Sequence, residues 1–318
     1  MEGVTTVLKD VSSPEDLLEG FGDDCRLRGL SERTIRGYRD NIQTFAGFLS
    51  ASGIEIGDVD SLVLRDFLSF LKDERDLKHK TVKLYFTALS GFYDFLVFEG
   101  HTKSNIVLPF TKRYLRRYKE GFDDPVRKLL SVEEMSMLAN SIMDPRDRAI
   151  VVTLAKTGVR RGELLRIDVD DLNWGEQSIT LKPARKRSNR VVFFDDEAAF
   201  VLRRWLRVRE KLNPRSRALL ISYTTLDRLT RSGLYTAFMK YAIRLGFHEV
   251  GATRLEDRFG PHCLRHWFTT WLLRNGMKRE YVKELRGDRR GEAIDIYHHI
   301  DMVELRTAYL AFIPKLGI

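Results

Sequence analysis

The chain is poor in cysteine: Cys25 and Cys263 are the two it has among 318 residues, far apart and without a CxxC partner. That excludes a zinc module or a disulfide scaffold and fits a reducing cytoplasm. Long apolar runs are also missing, and no stretch approaches the ~20 residues of a spanning helix. The opening residues, MEGVTTVLKDVSSPEDLL, have neither a basic start nor an apolar core, so they do not read as a secretory signal. Neither a P-loop pattern nor a paired-glycine dinucleotide fingerprint occurs, and chemistry without ATP or a nucleotide cofactor is expected. Internal repeats and low-complexity tracts are lacking too.

Negative charge is the scarcer sign, with 45 Asp and Glu against 54 Lys and Arg, a net charge of +9. Such a chain attracts a polyanion, nucleic acid first, with membrane surfaces and acidic proteins as the other candidates. The modest acidic content argues against a high-salt cytoplasm. At 43% hydrophobic and 31% charged, the composition is that of a soluble globular protein, long enough for two cores.

The first hundred residues carry helical spacing. Ile35, Tyr38, Ile42, Phe45 and Leu49 recur at intervals of three and four, and Ser31 precedes them as an N-cap. Leu64, Phe67, Leu68 and Leu71 repeat the pattern, as do Val82, Phe86, Leu89, Tyr93 and Leu96. A tail over 1–14, a helical domain over 15–108, a basic linker over 109–128 and a second domain over 129–318 are expected. The linker holds Lys112, Arg113, Arg116, Arg117 and Lys119, a run that is either a solvated face or a DNA-facing connector.

In the second domain, Ser131 and Glu134 form a capping box. Pro145 opens a helix that Gly158 closes. SITLK and RVVFF are strands joined by a basic turn. The fold class is therefore mainly α with a small antiparallel β-sheet.

Four places gather cationic or proton-transferring groups. TGVRRGELL puts Arg160 in a turn after Gly158, with Glu163 three residues on to fix its side chain. KPARKRSNR carries Lys182, Arg185, Lys186, Arg187 and Arg190 between the strands, a tip able to reach a DNA groove. GPHCLRHW sets His262 and Arg265 on one face at a helix start, where an anion is already favoured, with His266 a turn on. LRGDRRGEAIDIYHH holds Tyr297, which taken alone is an ordinary packed aromatic beside Ile294, Ile296 and Ile300. Each signal is weak by itself.

Together and in this order they resemble the tyrosine recombinase, or phage integrase, family, which includes integrases and Xer-like site-specific recombinases. TGVRRGE is similar to that family's TGxRxxE segment, HCLRH to its HxLRH, and Asp288 stands nine positions before Tyr297, where the family has His or Trp. The resemblance implies an N-terminal helical core-binding domain that clamps DNA and a C-terminal catalytic domain. It implies catalytic roles for Tyr297 as nucleophile, Arg160, Arg265, His262 and Lys186, with Lys182 as the second choice of lysine. Glu163 is expected in support. Lys80, Lys83, Arg185, Arg187 and Arg190 are expected to bind DNA.

Asp288 departs from the pattern. Ionised, it repels a phosphate, so it is expected to orient a neighbouring cation: Arg286, Arg289 or His262. The reaction implied is strand cleavage and rejoining through a 3′-phosphotyrosine, with no cofactor and no metal. The partners implied are double-stranded DNA and a homotetramer on two DNA sites, in the cytoplasm or at the nucleoid and away from membranes. The C-terminal residues Leu305, Tyr309 and Phe312, at helical spacing, pack either on a neighbouring protomer or on their own domain. The rival readings are a type IB topoisomerase-like enzyme and a DNA-binding regulator derived from a recombinase.

Overall fold

Apolar residues spaced by three and four become helices throughout. The computed structural model describes residues 14–116, 127–183, 190–252, 254–288 and 300–318. The chain divides into two units, Met1–Phe122 and Asp123–Ile318.

In the first unit, α1 (Pro14–Leu27), α2 (Glu32–Ala51), α3 (Ser61–Ser69), α4 (His79–Phe98) and α5 (Val107–Tyr114) enclose one core. Ser31 caps α2 by accepting the Thr34 N–H, and Asp60 caps α3 by accepting from Leu62 and Val63. The apolar stripes of α2 and α4 face inward, burying Ile35, Ile42, Phe45 and Leu49 against Val82, Phe86, Leu89 and Tyr93. Phe110 and Leu115 are buried in the same core, so residues 109–115, read from sequence as the start of a linker, belong to the folded unit. Two apolar side chains outweighed the basic residues around them.

The second unit is built around α7 (Pro145–Thr157), whose residues from Ala149 to Thr157 are all buried. Packed about it are α6 (Val132–Ser141), the single turn α8 (Arg161–Leu164), α9 (Asp196–Lys211), α10 (Arg231–Arg244) and α11 (Pro261–Arg274). The Ser131–Glu134 capping box opens α6, and Asp144 with Pro145 opens α7. A small antiparallel sheet runs β1 (Leu172–Asn173), β2 (Ser178–Thr180), β3 (Val191–Phe193), with Ile179 opposite Val192. Then α12 (Arg279–Arg286) and α13 (Met302–Phe312) join a second cluster with Phe268 and Leu272.

Of the two placements open to the C-terminal residues, the structure has the second: Leu305 and Tyr309 are fully buried in their own unit. A buried ammonium ties the tail down. Lys156 Nζ donates to Asp195 Oδ2 at 2.7 Å, to Pro314 O at 2.7 Å and to Glu197. Glu197 in turn accepts the backbone N–H groups of Leu316, Gly317 and Ile318. Among the described residues no helix is long and apolar enough to cross a membrane.

Gly158 ends α7 in the left-handed region, φ +60°, and a Cβ there would fall 2.2 Å from Phe268 Cδ1. Gly158→Ala is expected to cost roughly 2–4 kcal/mol through clash and backbone strain. Urea denaturation of the second unit measures it, and a loss below about 1 kcal/mol would show that Phe268 can move aside.

Candidate active site

The left-handed turn at Gly158 sends the chain out of α7 and leaves Arg160 extended at the cap of α8, φ −71° and ψ 147°. Glu163 holds that turn from below. Its Oε2 accepts the Arg160 backbone N–H at 2.7 Å, and its Oε1 accepts Arg160 Nη1 at 2.9 Å. The Arg160 side chain is still 43% exposed, so its outer face stays open.

Arg265 arrives from α11, one turn after Pro261, and is almost fully buried. Its Nη1 donates to Gly158 O at 2.6 Å and its Nη2 to Arg286 O at 2.7 Å. Two carbonyl oxygens aim the guanidinium without neutralising it. Burial, then Arg160, Arg286 and Arg190 nearby, push Arg265 down to about 10. A site that already strains to hold its positive charge gains when an anion arrives.

His262 lies on α11 ahead of Arg265. Partial burial and the charges of Arg127 and Arg265 hold its imidazole below the usual 6.5, so it is neutral at pH 7. His266 is shifted the same way, by burial and then by Arg127 and Arg286.

Arg160, His262 and Arg265 share one cleft of about 470 Å³. Six arginines line it (Arg127, Arg160, Arg161, Arg231, Arg258 and Arg265) with His248 and His262, and no Asp or Glu is among the described lining residues. A concavity lined by this much like charge, with the carboxylates of Glu163 and Asp288 against Arg160 and Arg265 but not among the described lining residues, is shaped for a polyanion.

The structure brings Arg160, Glu163, Arg265, His262 and Asp288 together. Asp288 lies beside Arg286, Arg265 and Arg160 at 2.9, 3.4 and 3.8 Å. Arg190 departs from its expected place on DNA. Its guanidinium is buried, donating to Glu163 Oε1 and Oε2 at 3.1 Å each and to Leu285 O at 2.7 Å. The bidentate pair with a buried carboxylate outcompetes a surface phosphate contact. Lys182 donates to Asp168 and also meets Asp171 at 3.3 Å, so it is held at the base of the hairpin. Lys80 and Lys83 are exposed one turn apart on α4 of the first unit. Tyr297, Lys186, Arg185 and Arg187 lie outside the described residues.

Sequence reasoning missed Arg127, Arg161, Arg231, Arg258 and His248. Arg231 had a signal: it is the first residue of α10, a helix with no acid in its first turn. A cation is disfavoured at that end, so one there invites an anion from outside. His248 had none, since its Nδ1 accepts the Phe259 N–H only because the loop folds back.

Glu163 is the group most exposed to test. Burial pushes its carboxyl up, but hydrogen bonds from Arg190 and the Arg160 N–H outweigh that and leave it below the usual 4.5. Its stabilising contribution is therefore complete above that value and is lost as pH falls below it. Glu163→Ala strands the buried Arg190 charge and is expected to cost about 3–5 kcal/mol. The gap in urea midpoint between wild type and Glu163→Gln should narrow from about pH 6 to about pH 4; a gap that stays constant would mean the charge is not its source.

Residues 127–304 match the phage integrase family, and residues 17–98 match the phage integrase N-terminal SAM-like domain. A tyrosine recombinase XerC of Listeria innocua is 30% identical over 298 residues, covering 91% of this chain and 94% of that protein. The XerC of Oceanobacillus iheyensis is 29% identical over 299 residues, covering 91% and 92%. In fold, the chain is similar to the XerH site-specific recombinase bound to palindromic difH substrate in a post-cleavage complex. The TM-score is 0.70 at 21% identity, covering 93% of this chain and 84% of that one. A lambda integrase dimer bound to a COC' core site gives a TM-score of 0.63 at 16% identity, covering 91% and 98%. With the integrase match spanning more than half of its length, this chain belongs to the phage integrase family.

Proposed function

We propose that this chain is a site-specific DNA recombinase that cuts and rejoins strands through a covalent phosphotyrosine, working as a tetramer on two duplexes in the cytoplasm. The observation that carries the reading is the cleft walled by arginines and histidines with no carboxylate in its described lining.

A phosphodiester resists attack because it is already negative and gains charge in the transition state. Arg160 and Arg265 take the two non-bridging oxygens and spread that charge, in a geometry the Gly158 and Arg286 carbonyls fix beforehand. Tyr297 Oη attacks phosphorus, the bond to the 5′ oxygen breaks, and Lys186 gives that oxygen a proton. His262, neutral at pH 7, is available to take the phenol proton. The chain is left as a 3′-phosphotyrosine, and a 5′-hydroxyl from another strand reverses the steps to free Tyr297. The phosphoryl bond is conserved throughout, so no ATP is consumed. The engagement of Lys182 by Asp168 and Asp171 supports Lys186 in the acid role. The exposed pair Lys80 and Lys83 supports backbone contact by the first unit.

The test is a nicked duplex carrying a site selected by the protein from random-sequence DNA. Wild type should accumulate a covalent adduct that denaturing electrophoresis reveals, and Tyr297→Phe should form none. An adduct that persists in Tyr297→Phe moves the nucleophile elsewhere, and no adduct in wild type makes the chain a binder. The second-order rate of adduct formation should stay level at neutral pH and decline only below about pH 6.5, as His262 protonates.

A further inference from the structure

Asp288 follows Gly287, which closes α12 in the left-handed region at φ +62°. Its own N–H donates to Lys283 O at 3.1 Å, so the start of its side chain is fixed to the helix end. From there the carboxylate divides. Oδ1 lies 3.4 Å from Arg265 Nη2 and 3.8 Å from Arg160 Nη2, and Oδ2 lies 2.9 Å from Arg286 Nε. One oxygen thus sits between the two guanidiniums assigned above to the phosphate, and the side chain is a third exposed.

A carboxylate and a phosphodiester present the same thing to a pair of arginines: anionic oxygens at hydrogen-bond distance. A phosphate oxygen brought between the two guanidiniums where Asp288 Oδ1 lies would be repelled by it, strongly in a partly buried site. Glu163 compensates Arg190 and the inner side of Arg160. Without Asp288, Arg265, Arg286 and the outer side of Arg160 would face one another with that carboxylate alone to offset them. Something must hold them together before DNA arrives, and it must then leave their outer nitrogens.

Resting on the reading of the cleft as a phosphate site, we propose that Asp288 is a positioning residue: an internal counter-anion that holds Arg160, Arg265 and Arg286 in the DNA-free protein and is displaced from Arg160 and Arg265 by the scissile phosphate. Oδ2 keeps Arg286 while Oδ1 withdraws. The two arginines then meet the phosphate already aimed, at the cost of a weaker grip on phosphate than an unopposed pair would have.

Binding of inorganic phosphate and of a short mixed-sequence duplex at fixed salt, on the full chain, decides it. Asp288→Asn removes the charge and keeps the shape; it should bind phosphate about tenfold more tightly than wild type while unfolding at a lower temperature without phosphate. Adding Arg160→Ala should abolish the gain. Asp288→Glu, which keeps the charge, should bind phosphate as wild type does, and Asp288→Ser replaces the Asn variant if that does not fold. A neutral variant that is destabilised but gains no phosphate affinity overturns the proposal and makes Asp288 a permanent brace. If Arg160→Ala in the wild-type background weakens neither phosphate nor duplex binding, the phosphate reading of the cleft itself falls, and the proposal with it.

Discussion

The buried carboxylate of Glu163 is the constraint on which the site depends. It accepts from Arg160 on one side and from both terminal nitrogens of Arg190 on the other. Arg190 also reaches Leu285 O, so three segments distant in sequence are fastened at one point: the turn after α7, the strand entering β3 and the end of α12. A single anion between two guanidiniums is well compensated, and each arginine is held by geometry that the other alone would not supply. The carbonyls of Gly158 and Arg286 complete the frame by aiming Arg265.

That frame explains why so much positive charge can be gathered in one cleft. Of the arginines facing the cavity, Arg160 and Arg265 are oriented by backbone oxygens and by the carboxylates of Glu163 and Asp288, so their mutual repulsion is met by the fold. Energy is spent in folding to prepare an electrostatic site that needs little rearrangement when the reaction begins. The left-handed Gly158 contributes directly, since it both turns the chain toward Arg160 and offers the carbonyl that receives Arg265.

Much of the fold was legible because its signals are local. The spacing of Ile35, Ile42, Phe45 and Leu49, the cap at Ser31 and the Pro145-to-Gly158 helix each depend on a few neighbouring residues. β1 was not read: at two residues it is too short to show alternation. The end of the first unit was misjudged because charge density around Phe110 concealed a buried face. In the site, the turn at Arg160 with Glu163 three residues on could be read, because one turn brings them together. The burial of Arg190 could not be read from its charge, though the strand's own alternation held a clue: Arg190 shares a face with the buried Val192. The loop that brings His248 to the cleft has no periodicity to read.

The tail has a consequence reaching beyond its own packing. Lys156, which grips Pro314 O, and Gly158, which receives Arg265, are two residues apart on one rigid stretch of backbone. In sequence the tail and the guanidinium are remote, but in the folded chain they are mechanically adjacent. The anchorage of the C-terminus and the carbonyl that aims Arg265 therefore share one short stretch of backbone, so the tail is part of the frame of the cleft.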